Sequence, residues 1–267
     1  MKNILYALFV ISAFASCAES YTIQGSSSLA LLDGNKLYLK AMEGRDMKTL
    51  DSCDVVHGKF RFTGLLDTTQ MAALFMGEKS VMPIVVERGD IKVRIEDAQQ
   101  KVSGSPLNEV LYTFLDQHNQ LQNDLIELGH RESRMLLDGI DEDVINQEIT
   151  KEWATITQRE DSLVTNFIVD NFDNVLGPGV FMMMTASYPY PVLTPQIEDI
   201  MSKATKKFKD DPYVKEYYHA ANEIQARQNG LVDDTGAQPV RPAAATPALP
   251  ELSADSLHVP LTNLPQK

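Results

Sequence analysis

The chain has few cysteines and few basic residues for its length. Cys17 and Cys53 are its two cysteines in 267 residues, so it has no C-x-x-C pair, and redox catalysis by such a dithiol is excluded. Lysine and arginine number 24 against 37 aspartates and glutamates. Such an acidic surface repels phosphate backbones and anionic headgroups, which disfavours nucleic-acid binding and charge-driven membrane binding.

No apolar run is long enough to predict a transmembrane helix. Residues 4–15, ILYALFVISAFA, form an uncharged block, whereas a membrane-spanning helix needs roughly 20 apolar residues. The block has the length of a signal-peptide core. Ala15 and Ser16 precede Cys17, which resembles the lipobox of bacterial lipoproteins and implies a signal peptide at 1–16 with a lipid on Cys17. The alternative is an ordinary secretory signal cut near Ala15.

Residues 20–102 alternate between apolar and polar side chains, which predicts β-strands in a domain at residues 17–104. The period of two is clearest at residues 37–41, 59–63 and 91–96. Turns that contain glycine separate these runs at residues 33–35, 57–58 and 88–90. Short strands at this spacing predict an antiparallel β-sandwich or barrel, and the sandwich is the fold that we expect. Residues 84–86, IVV, are apolar on both faces and predict a central strand.

Residues 105–230 change to a period of three or four and predict an α-helical domain. Ser105 is expected to cap a helix that starts at Pro106. A second helix is expected after Asp141, with Trp153 on the apolar stripe that also contains Ile149, Ile156, Leu163 and Phe167. The two long amphipathic helices predict an antiparallel hairpin, so the whole chain is expected to be of the α+β class.

Proline and glycine punctuate the rest of the chain. Residues 177–179, GPG, are expected to break it before a short buried segment at 180–184. Two further helices are predicted near 194–207 and 212–229. Residues 231–267 hold six of the 13 prolines and too few apolar side chains for a core, which predicts a disordered tail.

The candidate reactive groups each have a simpler structural interpretation. Cys53 is flanked by Asp51 and Asp54, which raise a thiol pKa, so a structural, half-buried thiol is expected. His219 shares one helical face with Glu216 and Glu223, but a closed metal site needs more ligands than these. We therefore predict no catalytic residues, no metal and no cofactor.

The aromatic loop at residues 187–194 is the one surface that stands out as a candidate for holding a ligand or partner. Tyr188 and Tyr190 would supply the contacts. A structural crossing of the chain that is rich in proline is the favoured interpretation of the same residues.

One passage is more specific than its composition. Residues 50–64, LDSCDVVHGKFRFTG, resemble the signature of the domain of unknown function 4369, and residues 102–108, VSGSPLN, are similar to the motif that precedes its helices. The family's members are envelope lipoproteins of Bacteroidota in which a thioredoxin-like domain usually follows. No cysteine follows Cys53 here, so the resemblance implies fold and location but no redox residues. Cys53 stands where the family usually has a small residue.

These observations predict a non-enzymatic lipoprotein of the cell envelope that acts as a binding or adaptor module. The lipid on Cys17 would hold it to the outer membrane, facing the periplasm, and the tail would reach a protein partner. One rival hypothesis is an accessory to thiol or peroxide chemistry performed by a separate thioredoxin-like partner. Another is a small-molecule binder with its site between sandwich and helices, around Tyr188 and Tyr190.

The tail hypothesis makes a direct prediction about stability. A flexible tail of about 37 residues contributes nothing to the core, so removing residues 231–267 should leave the melting temperature unchanged. A clear drop in a thermal unfolding experiment would mean that the tail packs against the folded body.

Overall fold

Two four-stranded β-sheets form the amino-terminal part of the protein. The computed structural model describes residues 19–43, 46–97 and 99–229; the expected signal peptide, Cys17 and the tail at 231–267 lie outside them. The strands are β1 (Glu19–Ser27), β2 (Lys36–Glu43), β3 (Asp46–Asp54), β4 (Lys59–Leu66), β5 (Gln70–Met76), β6 (Lys79–Val86), β7 (Gly89–Ile95) and β8 (Gln100–Ser103). They confirm the predicted sandwich.

The strand order is β4-β1-β7-β8 in one sheet and β3-β2-β5-β6 in the other. Among the named pairings, only β1 with β7 is parallel, and it joins Ile23 to Ile91. The expectation of a wholly antiparallel sandwich therefore needs this refinement. Alternation predicts which face of a strand is buried but carries no information on the direction of its neighbour.

The residues with a period of two form the interior between the sheets. Ile23, Phe62 and Ile91 are completely buried in the first sheet, and Leu39 and Leu74 in the second. These pairs stand directly opposite each other across their strands. The alternation seen in the sequence thus defines the sandwich core.

Six helices follow the sandwich within residues 99–229. They are α1 (Pro106–Leu137), α2 (Glu142–Asp170), α3 (Leu176–Thr185), α4 (Pro195–Lys203), α5 (Lys206–Asp210) and α6 (Pro212–Gln228). Within the described residues, none of the helices is both long and apolar enough to cross a membrane. One continuous hydrophobic core contains buried side chains from both sheets and from α1, α2, α3, α4, α5 and α6.

The prediction that residues 84–86 form a central strand is wrong. Strand β6 lies at the edge of its sheet, yet Ile84, Val85 and Val86 are all buried. The side chains of α1 reach the outer edge of β6, so the helical part covers the edge that a neighbouring strand would otherwise cover. Because of this cover, residues 84–86 are buried and can be apolar on both faces of the strand.

Asn108 of α1 closes that edge. Its amide oxygen accepts a hydrogen bond from the Val85 N–H at 2.9 Å, and its amide nitrogen donates to the Val85 carbonyl at 2.7 Å. The Tyr112 hydroxyl donates to the Pro83 carbonyl at 2.8 Å. These side chains replace the ladder of a further strand, which leaves the edge paired rather than open.

Glu87 caps the start of α1 in place of Ser105. One Glu87 oxygen accepts hydrogen bonds from the backbone N–H groups of Leu107 and Asn108. Ser105 occupies the predicted cap position, but its hydroxyl accepts from the Asn108 amide at 2.8 Å and makes no capping bond. A carboxylate at a helix amino terminus is favoured because it meets unpaired N–H groups and the positive end of the helix dipole.

Residues 177–179 do not break the chain as predicted, because they form the first turn of α3. Proline is tolerated there since the first N–H groups of a helix have no partner within it. A Cβ at Gly179 would lie 2.5 Å from Met71 Cγ. The glycine therefore lets α3 approach strand β5 closely, while the predicted burial of residues 180–184 is confirmed at Val180, Phe181 and Met183.

The helix predicted near 194–207 is two helices, α4 and α5. The backbone at Ala204 is extended, and the Thr205 hydroxyl caps α5 by accepting from the Phe208 N–H at 3.3 Å. Phe208 is completely buried between Phe172 and Phe181. Burial of this ring fixes the new helix direction, which the sequence pattern did not reveal.

We predict that Asn108→Ala destabilises the protein strongly. The substitution leaves the buried N–H and carbonyl of Val85 unpaired, so the free energy of unfolding in denaturant should fall by about 3 kcal/mol. The matched control is Asn222→Ala, which removes an exposed side chain that bonds only within its own helix and should cost at most about 0.5 kcal/mol. Equal losses in the two variants would contradict the edge-closing role.

Candidate functional site

The far half of the α1–α2 hairpin extends beyond the main core. Asp141 caps α2 as predicted, by accepting from the Asp143 N–H. Beyond His118, the buried side chains of α1 are Leu121 and Leu128, and these form a separate small cluster with Ile156 of α2. The outer half of the hairpin is thus held by contacts between its own two helices.

Two series of residues, each spaced by seven, lie along one side of this hairpin. On α1 the series is Leu115, Gln122, Gly129 and Leu136; on α2 it is Phe167, Glu160 and Trp153. Residues seven apart lie on nearly the same face of a helix. The Gln122 amide donates to the Glu160 carboxylate, so the two series face the same side, and one heptad outward Gly129 lies level with Trp153.

This side of the hairpin is covered at one end and open at the other. At the body, Leu115 is buried, and Phe167 stacks on Phe114 with ring centroids 4.2 Å apart. At the far end, Trp153 is 54% exposed and Leu136 is 51% exposed. We name the surface formed by Gly129, Leu136 and Trp153 the open face.

The prediction that Trp153 fills the buried stripe of α2 is therefore wrong. Ile156 is buried and Ile149 is partly buried. Trp153 lies on a neighbouring face of the same helix. Its position corresponds to that of Phe167, which is packed against α1 at the body. Glu160 separates the two aromatic residues on this face, and Trp153 lies where the body that would cover it has ended.

Gly129 has no explanation within the hairpin. Glycine inside a helix costs about 1 kcal/mol relative to alanine, and a Cβ placed on Gly129 would meet no atom within 4 Å. No close packing within the folded chain requires it. A glycine on a helix face allows another backbone to approach closely.

The basic side chains of the outer hairpin point away from the open face. Arg131 follows Gly129 by two residues, a rotation of about 200°, and its guanidinium binds Glu152 and lies 3.8 Å from Glu148. Arg134 binds Glu127 at 2.7 Å. The charge beside the open face is acidic. Glu132 is three residues after Gly129 and four before Leu136, and residues three or four apart lie next to each other on a helix.

His118 and Glu160 form a buried polar contact where the covered part of this side ends. His118 Nε2 donates to Glu160 Oε1 at 3.0 Å, and the imidazole is almost fully buried. The hydrogen bond from His118 lowers the pKa of the Glu160 carboxyl, while burial opposes this. Burial and the Glu160 charge together raise the pKa of the adjacent Asp161.

A groove of about 520 Å³ runs along the opposite side of the hairpin. Thr155 is one of its residues, two positions after Trp153, so it lies level with the open face but is turned away from it. The remaining lining residues are Gln117, Gln120, Leu121, Gln158, Arg159, Ser162 and Leu163. Most of these side chains are exposed, so the groove is shallow.

The aromatic loop at residues 187–194 is hydrogen-bonded to α6. The Tyr217 hydroxyl accepts from the Val192 N–H at 3.1 Å and lies 3.2 Å from the Val192 carbonyl. Burial raises the pKa of Tyr217 to about 12. Tyr188 is half-buried against the main core, whereas Tyr190 is 47% exposed. The structure thus gives Tyr188 a packing role, and the ligand or partner role of both tyrosines stays a prediction.

Cys53 lies on β3, directly opposite Leu37 of β2. Its thiol is half-buried, and burial, followed by the charges of Asp51 and Asp54, raises its pKa; a backbone hydrogen bond from Arg61 opposes this. These are the conditions of an unreactive thiol. The expected structural role fits this environment.

The histidine of α6 lies on an exposed surface. His219 Nδ1 is 3.8 Å from Glu223 Oε1, and both side chains are mostly in solvent. In the described part of the chain, no three residues of the types His, Cys, Asp and Glu are grouped so that they could hold a metal ion.

The buried polar side chains serve to join elements. Asn108, Glu87 and Ser105 bond to each other at the start of α1. The Thr185 hydroxyl donates to the Phe181 carbonyl, and Thr165 accepts from Gln196 of α4. These bonds account for the polar groups named here as structural contacts, whereas His118 Nδ1 is buried without a hydrogen-bond partner.

The protein is of the α+β class, with a two-sheet sandwich followed by a helical hairpin and shorter helices. Residues 21–111 match the family described as "Domain of unknown function (DUF4369)", so a DUF4369 domain forms the sandwich and the first turns of α1. The match includes Asn108 and ends before the open face. Comparisons with curated proteins and with solved structures found no match.

Sequence reasoning placed Trp153 on the buried stripe and missed the open face. The signal was present, because Gly129 stands inside a helix at a spacing of seven from Gln122 and Leu136. Periodicity could not show where the cover of the stripe ends, since that depends on how far the hairpin extends from the body.

We predict that the Glu160 carboxylate stabilises the fold in a pH-dependent way. Its pKa is lowered from the usual value of 4.5, so its stabilisation is present above that value and is lost as the pH falls through the lowered one. Glu160→Gln should be less stable than wild type at neutral pH in denaturant unfolding, and the difference should shrink below pH 4.5.

The control is Glu132→Gln, because Glu132 lies inside α1, outside its first and last turns, and it should match wild type at neutral pH. A Glu160→Gln deficit that stayed constant down to acid pH would show that the loss is one of packing rather than charge.

Proposed function

We propose that this protein is a non-enzymatic binding or adaptor module of the bacterial cell envelope. A lipid on Cys17 holds it to the outer membrane with the folded part in the periplasm. Support comes from the signal-like residues 4–15, which precede two small residues and a cysteine, and from the DUF4369 domain at 21–111. A domain of this kind resembles those of envelope lipoproteins of Bacteroidota.

The observation that carries the binding role is the open face. A soluble protein gains about 25 cal/mol for each Å² of apolar surface removed from water, so a tryptophan left half in solvent, on the same side of the hairpin as the exposed Leu136, is unfavourable for the isolated chain. Leu137, Ile140 and Val144 at the tip of the hairpin are also exposed. Concentrated apolar exposure of this kind marks interaction surfaces.

The rigidity of the hairpin base also supports an adaptor. Asn108 and Glu87 fix the first turn of α1 to strand β6, and Phe114 stacks on Phe167 between the two helices. The hairpin is therefore anchored at its root and presents its far half at a defined angle. Preorganisation of this kind reduces the entropic cost of binding.

The test is cross-linking and purification from cells that make wild-type protein, Cys17→Ala, or a chain ending at Asn229. Wild type should fractionate with membranes and Cys17→Ala with the soluble proteins, because acyl chains bind bilayers at about 0.8 kcal/mol per buried CH₂. The same partner protein should be cross-linked to the full-length wild-type chain and to the chain that ends at Asn229.

The outcomes distinguish the forms of the proposal. A partner lost from the shortened chain would bind through the tail rather than the hairpin. If the captured protein is a thioredoxin-like oxidoreductase, the module serves thiol chemistry carried out by that partner. Soluble wild-type protein, or the absence of any specific cross-linked protein, would contradict the proposal.

A further inference from the structure

We infer that the open face receives one amphipathic helix of a partner protein, with apolar side chains along its centre and basic side chains along its edges. This inference rests on the proposed adaptor function and names the chemistry of the partner. The helix would lie along the hairpin beside Gly129 and pack its apolar stripe against Trp153 and Leu136.

The heptad spacing of the hairpin residues favours a helix as the occupant. The heptad series that ends in the open face has Leu115 buried and Phe167 stacked at the body, with the hydrogen-bonded pair Gln122 and Glu160 between its two ends. A stripe with a spacing of seven matches knobs from another helix in the 3-4 packing geometry. The docked partner helix would therefore pack against the outer end of the hairpin in the way that the body packs against its inner end.

The size of the surface sets the length of the helix. From Gln122 to the end of α1 at Leu137 is 16 residues, or about 24 Å at 1.5 Å per residue. A partner helix of about four turns would cover this length. It would also remove Trp153 and Leu136 from water together.

Gly129 is the feature that a partner backbone would use. The space around it is empty to 4 Å, and it lies level with Trp153 across the hairpin. A small residue beside a large aromatic one allows a helix to approach at one point and to lie against the ring at the next. The cost of a glycine inside α1 then has a compensating contact.

Charge favours a basic partner over a second copy of this chain. Residues 126–153 hold eight acidic side chains against three basic ones. Two of the basic ones, Arg131 and Arg134, are paired with glutamates within the hairpin. A second hairpin would bring the same excess of acid against Glu132 and the acidic tip, whereas lysines or arginines along the edges of a partner helix would complement it.

Trp153 provides a specific probe because it is the chain's only tryptophan. Its fluorescence emission shifts to the blue when the indole leaves water, so the shift reports on the open face alone. The experiment uses the Cys17→Ala chain in solution and titrates a synthetic amphipathic peptide of about 16 residues with leucines on one face, lysines at the edges and no tryptophan. A second peptide has glutamates in place of the lysines.

Two variants separate docking from general stickiness. Gly129→Gln fills the approach point; it should fold with an unchanged or higher melting temperature, since glycine is the poorer helix former, but bind the lysine peptide at least about tenfold more weakly. Thr155→Gln is the matched control, because it places the same side chain at the same height on the groove side. It should bind as wild type does.

The expected result is a saturable blue shift with the lysine peptide, no shift with the glutamate peptide, and weakening as salt rises from about 50 to about 500 mM. Equal binding of both peptides, or equal losses in Gly129→Gln and Thr155→Gln, would overturn the inference. So would a blue shift that depends on protein concentration without peptide, together with a dimer mass in sedimentation, because a second copy would then cover the face.

Failure here and failure of the proposed function are distinguishable. If no peptide shifts Trp153 but membrane cross-linking still captures a partner, the adaptor proposal stands and the inference about the open face is wrong. If the peptide binds as expected but no cellular partner is captured, the face accepts basic helices and the adaptor role is contradicted.

Discussion

The structure depends on the pairing of the Asn108 side chain with the backbone of Val85. Strand β6 is an edge strand with apolar residues on both faces, and its exposed ladder would otherwise be open to water or to another chain. One asparagine amide satisfies a donor and an acceptor of that edge at once. Because Asn108 lies in the first turn of α1, the same bonds fix where the hairpin starts and in which direction it leaves the sheets.

The two environments of the hairpin follow from that fixed start. A 32-residue helix is about 48 Å long, which is more than the sheets and the shorter helices can cover. The same heptad stripe is therefore packed at Leu115 and exposed at Leu136. Two helices alone bury a small cluster around Leu121, Leu128 and Ile156, together with Ile145 near the tip, so the outer half lacks the third layer that helical bundles use.

Local patterns predicted the elements well and their surroundings poorly. The strands around Leu37 and Ile91, the hairpin and the cap at Asp141 follow from residue spacing and side-chain chemistry, which act over a few residues. The parallel pairing of β1 with β7, the edge position of β6 and the exposure of Trp153 depend on contacts between distant segments. Glu87 as the cap of α1 belongs with these, since a carboxylate 19 residues before Pro106 gives no local signal.

The DUF4369 match and the candidate site occupy different parts of the chain, and this separation constrains function. The match ends at residue 111, just after Asn108 has attached α1 to the sandwich, and the motif at 102–108 therefore corresponds to a structural joint. A joint of this kind orients whatever helix follows, without specifying its outer surface. Gly129 and Trp153 lie beyond the match, so the binding properties of this chain must be argued from its own hairpin.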